Sequence, residues 1–436
     1  MVKKVKTYYF SPTGGTLLVA QHLGERLGAL LGAEVEYHSY TLPSEREKLP
    51  QLEAGDVVVW VTPVYAGRIP NKTLDYVRRA LHADGNPAVA LVTFGNRAYD
   101  NALAELVGLM EDGGMRPFGA AAMVTRHAFS DTLGAGRPNE EDLAALDYFA
   151  AQVAEKLLTF YSQLLTISIP GEAHPEKYYT PLKTNNAPAG FLKAKPSCNS
   201  ELCTRCGKCI DVCPMGSIGA KDGMPTFDGI CIKCQACRRR CPTGAIAFTD
   251  PEYLSHVAMI ERTFAALKRP EFFLARNVQL RQIEMTEIPL LDNFLYEAIF
   301  IPEGVPAPPK SIIDSEELQV YVREFGQKKD DRCLVAECDG KIVGAVWTRI
   351  MDDYGHIADD TPSLAMSLYR EYRNQGIGTA LLERMLELLR KDNYERVSLS
   401  VQKANYAVRM YRKVGFVEEN ETEEEYIMVC NLQGKE

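Results

Sequence analysis

A multidomain chain of α/β and α+β class is predicted from three observations on the 436-residue sequence. The first 163 residues alternate strand-like and helix-like segments with apolar, β-branched runs, the pattern of a doubly wound parallel sheet. Eight of the twelve cysteines fall in two matching runs near the middle of the chain. A second alternation of strands and helices begins near Val278 and contains one tight hairpin. The expected domains are 1–163 (doubly wound), 198–268 (a small α+β domain built on cysteines) and 277–436 (α+β), with 164–197 as a linker. A chain this long is expected to bury more than one core.

The net charge is −9, with 25% charged and 46% apolar residues. No basic field would gather phosphates, so neither nucleic acid nor a membrane surface is an expected partner. No apolar run nears the ~20 residues that cross a bilayer, and the opening MVKKVKTYYFSPTGG lacks a signal-peptide core. A cytoplasmic protein is expected.

The first strand, KVKTYYF, is followed by a helix from about Gly15 to Leu31. Strands EVEYHSY and DVVVWVT, a helix near Asn71 to His82 and the strand AVALVTFG come next. Ligands of such sheets bind beyond the carboxyl ends of the strands, and three loops leave those ends with suggestive chemistry. In SPTGGT the hydroxyls of Ser11, Thr13 and Thr16 and the amides of Gly14 and Gly15 would wrap a phosphate at a helix N-terminus. The loop TPVYAGRIP offers Thr62, Pro63 and Tyr65, and TFGNRAYDNA offers Thr93, Gly95, Asn96, Tyr99 and Asp100. Each sets an aromatic ring beside small residues that let the backbone approach a flat ligand. At these residues the chain resembles the flavodoxin-like family. More closely, it looks like the flavodoxin–ferredoxin fusion proteins of anaerobes, over about residues 1 to 250. The resemblance implies strand order 2-1-3-4-5 and bound FMN, with the first loop on its phosphate and the other two along the isoalloxazine. Residues 164–197, broken by Pro and Asn, are expected to run as an extended strap.

The two cysteine runs are CTRCGKCIDVCPMGSI, from Cys203, and CIKCQACRRRCPTGAI, from Cys231. Clustered thiols in a reducing compartment are metal ligands before they are disulfides. Zinc ribbons pair two C-x2-C knuckles across a longer gap. Here C-x2-C-x2-C is joined by a fourth cysteine before proline, the spacing of cubane clusters whose fourth ligand reaches the other cube. Cys203, Cys206, Cys209 and Cys241 are thus expected on one 4Fe-4S cluster, and Cys231, Cys234, Cys237 and Cys213 on the other. The doubled motif resembles the two-cluster bacterial ferredoxin family. Arg238 to Arg240 either neutralise cluster charge or form a docking surface for an electron partner. Flavin exchanges two electrons and each cluster one, so the set can split or collect electrons between carriers. The redox partner is a protein or a small molecule.

In the last domain, Asp339-Gly340 marks a tight turn between alternating strands. A strand around Leu364 to Leu368 is followed by REYRNQGIGTALLERMLELL. Consecutive bare amides at the start of its amphipathic helix can cradle a pyrophosphate. This loop, with the downstream LSVQKANYAVRMYRKVGF, resembles the GNAT acetyltransferase superfamily. The resemblance implies acetyl transfer from acetyl-CoA to a small-molecule or peptide amine. It sets Arg373, Gln375, Gly376, Ile377, Gly378, Thr379 and Asn405 on the cofactor and makes Tyr411 the general acid. No general base declares itself among Glu297, Glu303, Asp359 and Asp360.

Three readings follow. The favoured one is an electron-transferring iron–sulfur flavoprotein fused to an amine acetyltransferase. The others are a redox sensor that regulates the acetyltransferase, and an inactive domain that only binds CoA. The sequence is silent on oligomeric state.

Overall fold

A computed structural model describes residues 2–160, 164–302, 304–373 and 375–433. The chain divides into two units, 1–161 with 169–275 and 162–168 with 276–436.

The first unit opens with β1 (Lys4–Tyr9), α1 (Gly15–Leu31), β2 (Glu34–Ser39), β3 (Asp56–Pro63), α2 (Leu74–Ala80), β4 (Pro87–Phe94), α3 (Ala102–Asp112), β5 (Arg116–Val124) and α4 (Glu140–Phe160). The five strands are parallel in the order β2-β1-β3-β4-β5. β3 and β4 are continuous apolar runs because both faces of a central parallel strand are covered; only Pro63 at the end of β3 is partly exposed. The helix α1 lies against α4.

The chain next contributes β6 (Leu165–Thr166) to the second unit and then returns. Residues 169–197 are held along the ends of β3 and β4. The Tyr178 hydroxyl donates to the Ile69 carbonyl at 2.9 Å, and the Tyr179 amide donates to Ala66 at 2.8 Å. The guanidinium groups of Arg68 and Arg97 lie over these two rings at 4.4 and 3.9 Å.

The cysteine segment consists of β7 (Ser197–Cys198), α5 (Lys208–Asp211), β8 (Gly219–Lys221), β9 (Met224–Thr226), α6 (Ala236–Arg240) and β10 (Ile246–Ala247). Antiparallel pairing of β7 with β10 closes its two ends. α7 (Pro251–Thr263) starts on a proline, and the Asp250 side chain accepts from the Tyr253 amide at 2.9 Å, a regular N-cap. β11 (Glu271–Leu274) then pairs antiparallel with β5 as a sixth strand. This strand is absent from the sequence expectation, because EFFL is too short to show a period.

The second unit is built from β12 (Arg276–Gln282), α8 (Leu291–Ala298), α9 (Glu316–Gln319), β13 (Arg332–Cys338), β14 (Lys341–Arg349), β15 (Ser363–Leu368), α10 (Ile377–Lys391), β16 (Arg396–Gln402), α11 (Ala407–Lys413), β17 (Val417–Glu421) and β18 (Glu425–Asn431). Its sheet runs β17-β18-β16-β15-β14-β13-β12-β6. Asp339 and Gly340, at φ 51° and 77°, make the turn between β13 and β14, the left-handed pair a two-residue hairpin needs. α10 buries Ile377, Leu381, Leu382, Met385, Leu386 and Leu389 on one stripe, each contributing about 1.5–3 kcal/mol. Trp347, Phe294 and Leu291 belong to a separate buried cluster.

Candidate functional site

The two cysteine runs fold alike. In the first, Arg205 and Gly207 take φ of 57° and 74°; in the second, Lys233 and Gln235 take 57° and 66°. These positions stand two and four residues after Cys203 and Cys231. Left-handed residues there turn amides back onto sulfur: Arg205 N–H donates to Cys203 Sγ and Lys233 N–H to Cys231 Sγ, both at 3.4 Å. The Ser217 amide reaches Cys213 Sγ at the same distance. Such bonds favour a charged sulfur over a neutral one.

The thiols surround two separate hollows. Cys203, Cys206, Cys209 and Cys241 line one, with Ile210, Pro225 and Ile246. Cys213, Cys231, Cys234 and Cys237 line the other, with Ile218, Phe227 and Phe248. Each hollow thus takes three cysteines from one run and the fourth from the other. Among the described residues no three of His, Cys, Asp and Glu converge closely enough to hold a single ion. The sulfurs ring a space rather than a point, which suits a cube. Burial pushes the Cys237 thiol up to about 12 and raises Cys231 and Cys209. Burial raises Cys241 too, but the Thr243, Ala245 and Ile246 amides outweigh it and hold that thiol below its ordinary value.

Around the ends of β1, β3 and β4, the expected phosphate loop is tied to its neighbours. The Ser11 amide donates to Thr41 Oγ1 at 2.9 Å, and Ser11 Oγ accepts from the Leu17 amide at 2.8 Å and donates to no partner among the described residues. Thr16 and Thr93 share a buried hydroxyl–hydroxyl bond of 2.8 Å. Gly14 has φ 97° and caps α1 with no side-chain bond, so the first amides of the helix lack partners within it. Thr13, Gly14 and Gly15 are partly exposed.

The other two loops are used differently from expectation. Asn96 is fully buried and spends its amide on the chain: Nδ2 donates to Phe264 and Ala266 at 2.7 and 3.0 Å, and Oδ1 accepts from Lys268 at 2.9 Å. It clamps the segment after α7 rather than facing a ligand. Gly95 leaves no room for a Cβ beside His127. Tyr99 donates to Glu271 at 2.8 Å, and Asp100 pairs with Arg97. Thr62 is buried and Pro63 partly so. Tyr65 begins a tight turn closed on Arg68 at 2.9 Å. Burial, and then the charge of Cys234 and Cys231, push its phenol well above the ordinary range. The second hollow therefore lies within electrostatic reach of that loop.

In the second unit, β15 and β16 are parallel but register only at Ser363 and Ser398. Each stays bonded to its outer neighbour, so the two strands part toward their C-terminal ends. The first turn of α10 packs between the end of β15 and the middle of α11 there, for a Cβ on Gly378 would lie 3.1 Å from Leu368 and 3.5 Å from Met410. Gly376, at φ 76°, caps α10 with no side-chain bond. Asn405 Oδ1 accepts from the Ala407 amide at 2.9 Å. Tyr411 is 8% exposed, and burial raises its phenol pKa.

Residues 300–416 match the acetyltransferase (GNAT) family model, and residues 202–246 match the 4Fe-4S dicluster domain. The chain carries a GNAT domain and a 4Fe-4S dicluster domain. It is similar to an N-alpha-acetyltransferase of Sulfurisphaera tokodaii, 27% identical over 164 residues, 36% of this chain and 86% of the relative. A second relative is an N-alpha-acetyltransferase of Saccharolobus solfataricus, 34% identical over 105 residues, 22% of this chain and 60% of the relative. Among solved structures, the ribosomal-protein-S18-alanine N-acetyltransferase of Escherichia coli is 20% identical with a TM-score of 0.27, covering 36% of this chain and 96% of that one.

Within the GNAT domain two expected cofactor residues turn to the protein. Arg373 donates to the Leu368 carbonyl at 2.9 Å and to Glu297 Oε2 at 2.7 Å, bracing the loop and occupying one candidate base. The Gln375 side chain donates to the Glu371 carbonyl at 2.7 Å and accepts from Thr166. Glu303 lies outside the described residues. Asp360 accepts from Thr361 at 3.0 Å, and Asp359 is exposed beside His356 at 3.7 Å. The sequence reading missed Asp353, which accepts from Tyr321 at 2.7 Å and Ser363 at 2.6 Å beside the single β15–β16 bridge. The acidic run containing Asp352 and Asp353 was the available signal. In the dicluster domain, Arg238 and Arg239 both bind Asp131 and hold its carboxyl down to about 2.

Proposed function

We propose that the first unit is an iron–sulfur flavoprotein module passing electrons between FMN and two 4Fe-4S clusters, and that the GNAT domain is an acetyl-CoA-dependent N-acetyltransferase acting on an amine. The observation that carries the redox half is the exchange of the fourth cysteine between the hollows. That arrangement fits one cube held by Cys203, Cys206, Cys209 and Cys241 and another by Cys213, Cys231, Cys234 and Cys237. The amides of Thr13 to Thr16 and the hydroxyls of Ser11 and Thr13 fit the flavin phosphate, and the loops at Thr62, Pro63 and Tyr65 and at Thr93 and Tyr99 fit its ring edge. The strand order of the first unit supports a flavodoxin-like reading. When bound, flavin and clusters supply two-electron and one-electron chemistry. The chain supplies their spacing and a partly dry setting, and amide-to-sulfur bonds favour the charged ligands.

For acetyl transfer, the opening between β15 and β16 supports a reading in which the amides of Gln375 to Thr379 bind the pyrophosphate at the positive end of α10. Asn405 shapes the adjoining turn. The amine nitrogen attacks the acetyl carbonyl and loses a proton to water, the carbon–sulfur bond breaks, and Tyr411 gives its proton to the departing thiolate and regains one from solvent. Burial keeps that phenol protonated at neutral pH.

The test is purification without oxygen, followed by counts of iron, sulfide and flavin and an assay of acetyl-CoA consumption with simple amines. About eight irons and one flavin per chain, with amine-dependent release of CoA, are expected. Colourless protein containing zinc overturns the redox half; acetyl-CoA that stays bound and unreacted with every amine overturns the other.

A further inference from the structure

Three consecutive arginines follow Cys237, and two of them have partners. Asp131 holds Arg238 at 2.7 Å and Arg239 at 2.9 Å. Arg239 also donates to the carbonyls of His127, Ala128 and Ser130 at 3.1, 3.0 and 2.6 Å. Arg240 has no hydrogen bond or ion pair among the described residues, and it is exposed. Its Nη2 atom stands 3.6 Å from the point where Gly14 would carry a Cβ. A free guanidinium therefore covers the glycine that starts the 17-residue helix α1. Two positive groups, this side chain and the amino end of the helix, face one another with nothing negative between them, an arrangement that an anion relieves. The Ser11 hydroxyl and the partly exposed Thr13 border the same spot.

We propose that Arg240 is a ligand of the flavin phosphate, supplied to the flavin site by the dicluster domain. The inference rests on the FMN reading above and adds a residue outside the glycine loop. Arg238 and Arg239 fix the short helix α6 against the segment after β5, so Arg240 reaches the loop from a braced backbone. The next residue, Cys241, lines the first hollow. One peptide step therefore separates a phosphate ligand from a cluster ligand.

The test uses the full chain, prepared without oxygen and stripped of flavin. FMN and riboflavin are titrated separately by quenching of flavin fluorescence, with iron counted in each sample. For Arg240→Ala, FMN binding is expected to weaken roughly 10- to 100-fold, the loss of a charge-assisted bond, while riboflavin binding and iron content hold. Arg240→Lys is expected to fall between, keeping charge without the planar fork. FMN affinity equal to wild type in Arg240→Ala overturns the proposal, as does an equal loss for riboflavin, which lacks the phosphate. A wild-type chain that binds neither flavin overturns the FMN reading itself, and the role of Arg240 falls with it.

Discussion

Arg46 donates from Nη2 to the carbonyl of Pro214 at 2.6 Å, the residue that follows Cys213. The same guanidinium binds the carbonyls of Tyr40 and Thr41 at 2.9 and 2.7 Å, joining the end of β2 to the second hollow. Arg46→Ala leaves three carbonyls without this donor and is expected to cost about 1–3 kcal/mol. A lower urea midpoint, together with faster iron loss to a chelator, checks it. An unchanged midpoint would show that the link carries no stability.

The crossing of ligands makes a second expectation. Cys241 belongs to the later run by sequence but lines the hollow of Cys203, Cys206 and Cys209. Cys241→Ala should therefore empty the earlier run's site, reducing iron from about eight to about four per chain. Spectra of the reduced protein should keep one cluster's signal. Loss of the signal assigned to the later run would contradict the crossing.

Asn96 offers a third, because its side chain serves the fold. Removing its amide deletes three hydrogen bonds that tie the buried Asn96 to the Phe264 and Ala266 carbonyls and the Lys268 N–H. Asn96→Ala should cost roughly 2 kcal/mol or more and leave flavin per folded chain unchanged. Flavin loss at unchanged denaturation midpoint would return Asn96 to the ligand.

His127 sets an acid limit. Burial, followed by the charges of His256, Arg97 and Arg239, lowers its pKa to about 3, and its Nδ1 accepts from the Phe129 amide at 3.1 Å. An unfolded chain protonates this ring near pH 6.5, so the folded state binds fewer protons between about pH 6.5 and 3. Its contribution is complete above that window and is lost as pH falls through it, by up to about 1.4 kcal/mol per pH unit. Denaturant titrations at pH 7 and pH 5 should show a shallower acid loss in His127→Asn than in the native chain.

Tyr411→Phe should lower the acetyl-transfer kcat roughly a hundredfold with little change in KM. Because burial raises the phenol, the native rate should not fall on the alkaline side before the ordinary tyrosine range near pH 10. A phenylalanine variant with native kcat would leave the proton to water.

The parts of this molecule that the sequence announces are those set by near neighbours. Cysteines three residues apart must share one turn, and Asp339-Gly340 must make one. Unbroken apolar runs such as DVVVWVT mark strands covered on both faces. What escaped depends on distant partners. Asn96 is claimed by carbonyls 168 and 170 residues away, and Arg373 by Glu297 across 76. No local pattern records such claims. The left-handed turns at Arg205, Lys233 and Gln235 escaped as well, since those residue types do not ask for them. The strand β11 is too short for its alternation to register.

The short strand β6 gives the acetyltransferase unit an unusual anatomy. Its two residues pair with Arg276 and Asn277, and Thr166 donates to Gln375 in the loop ahead of α10, although the entire cysteine segment intervenes in the chain. A gene fragment opening at residue 276 would therefore encode an incomplete body with an exposed sheet margin and a slackened loop ahead of α10. A cut at one point in the sequence thus does not separate the two units.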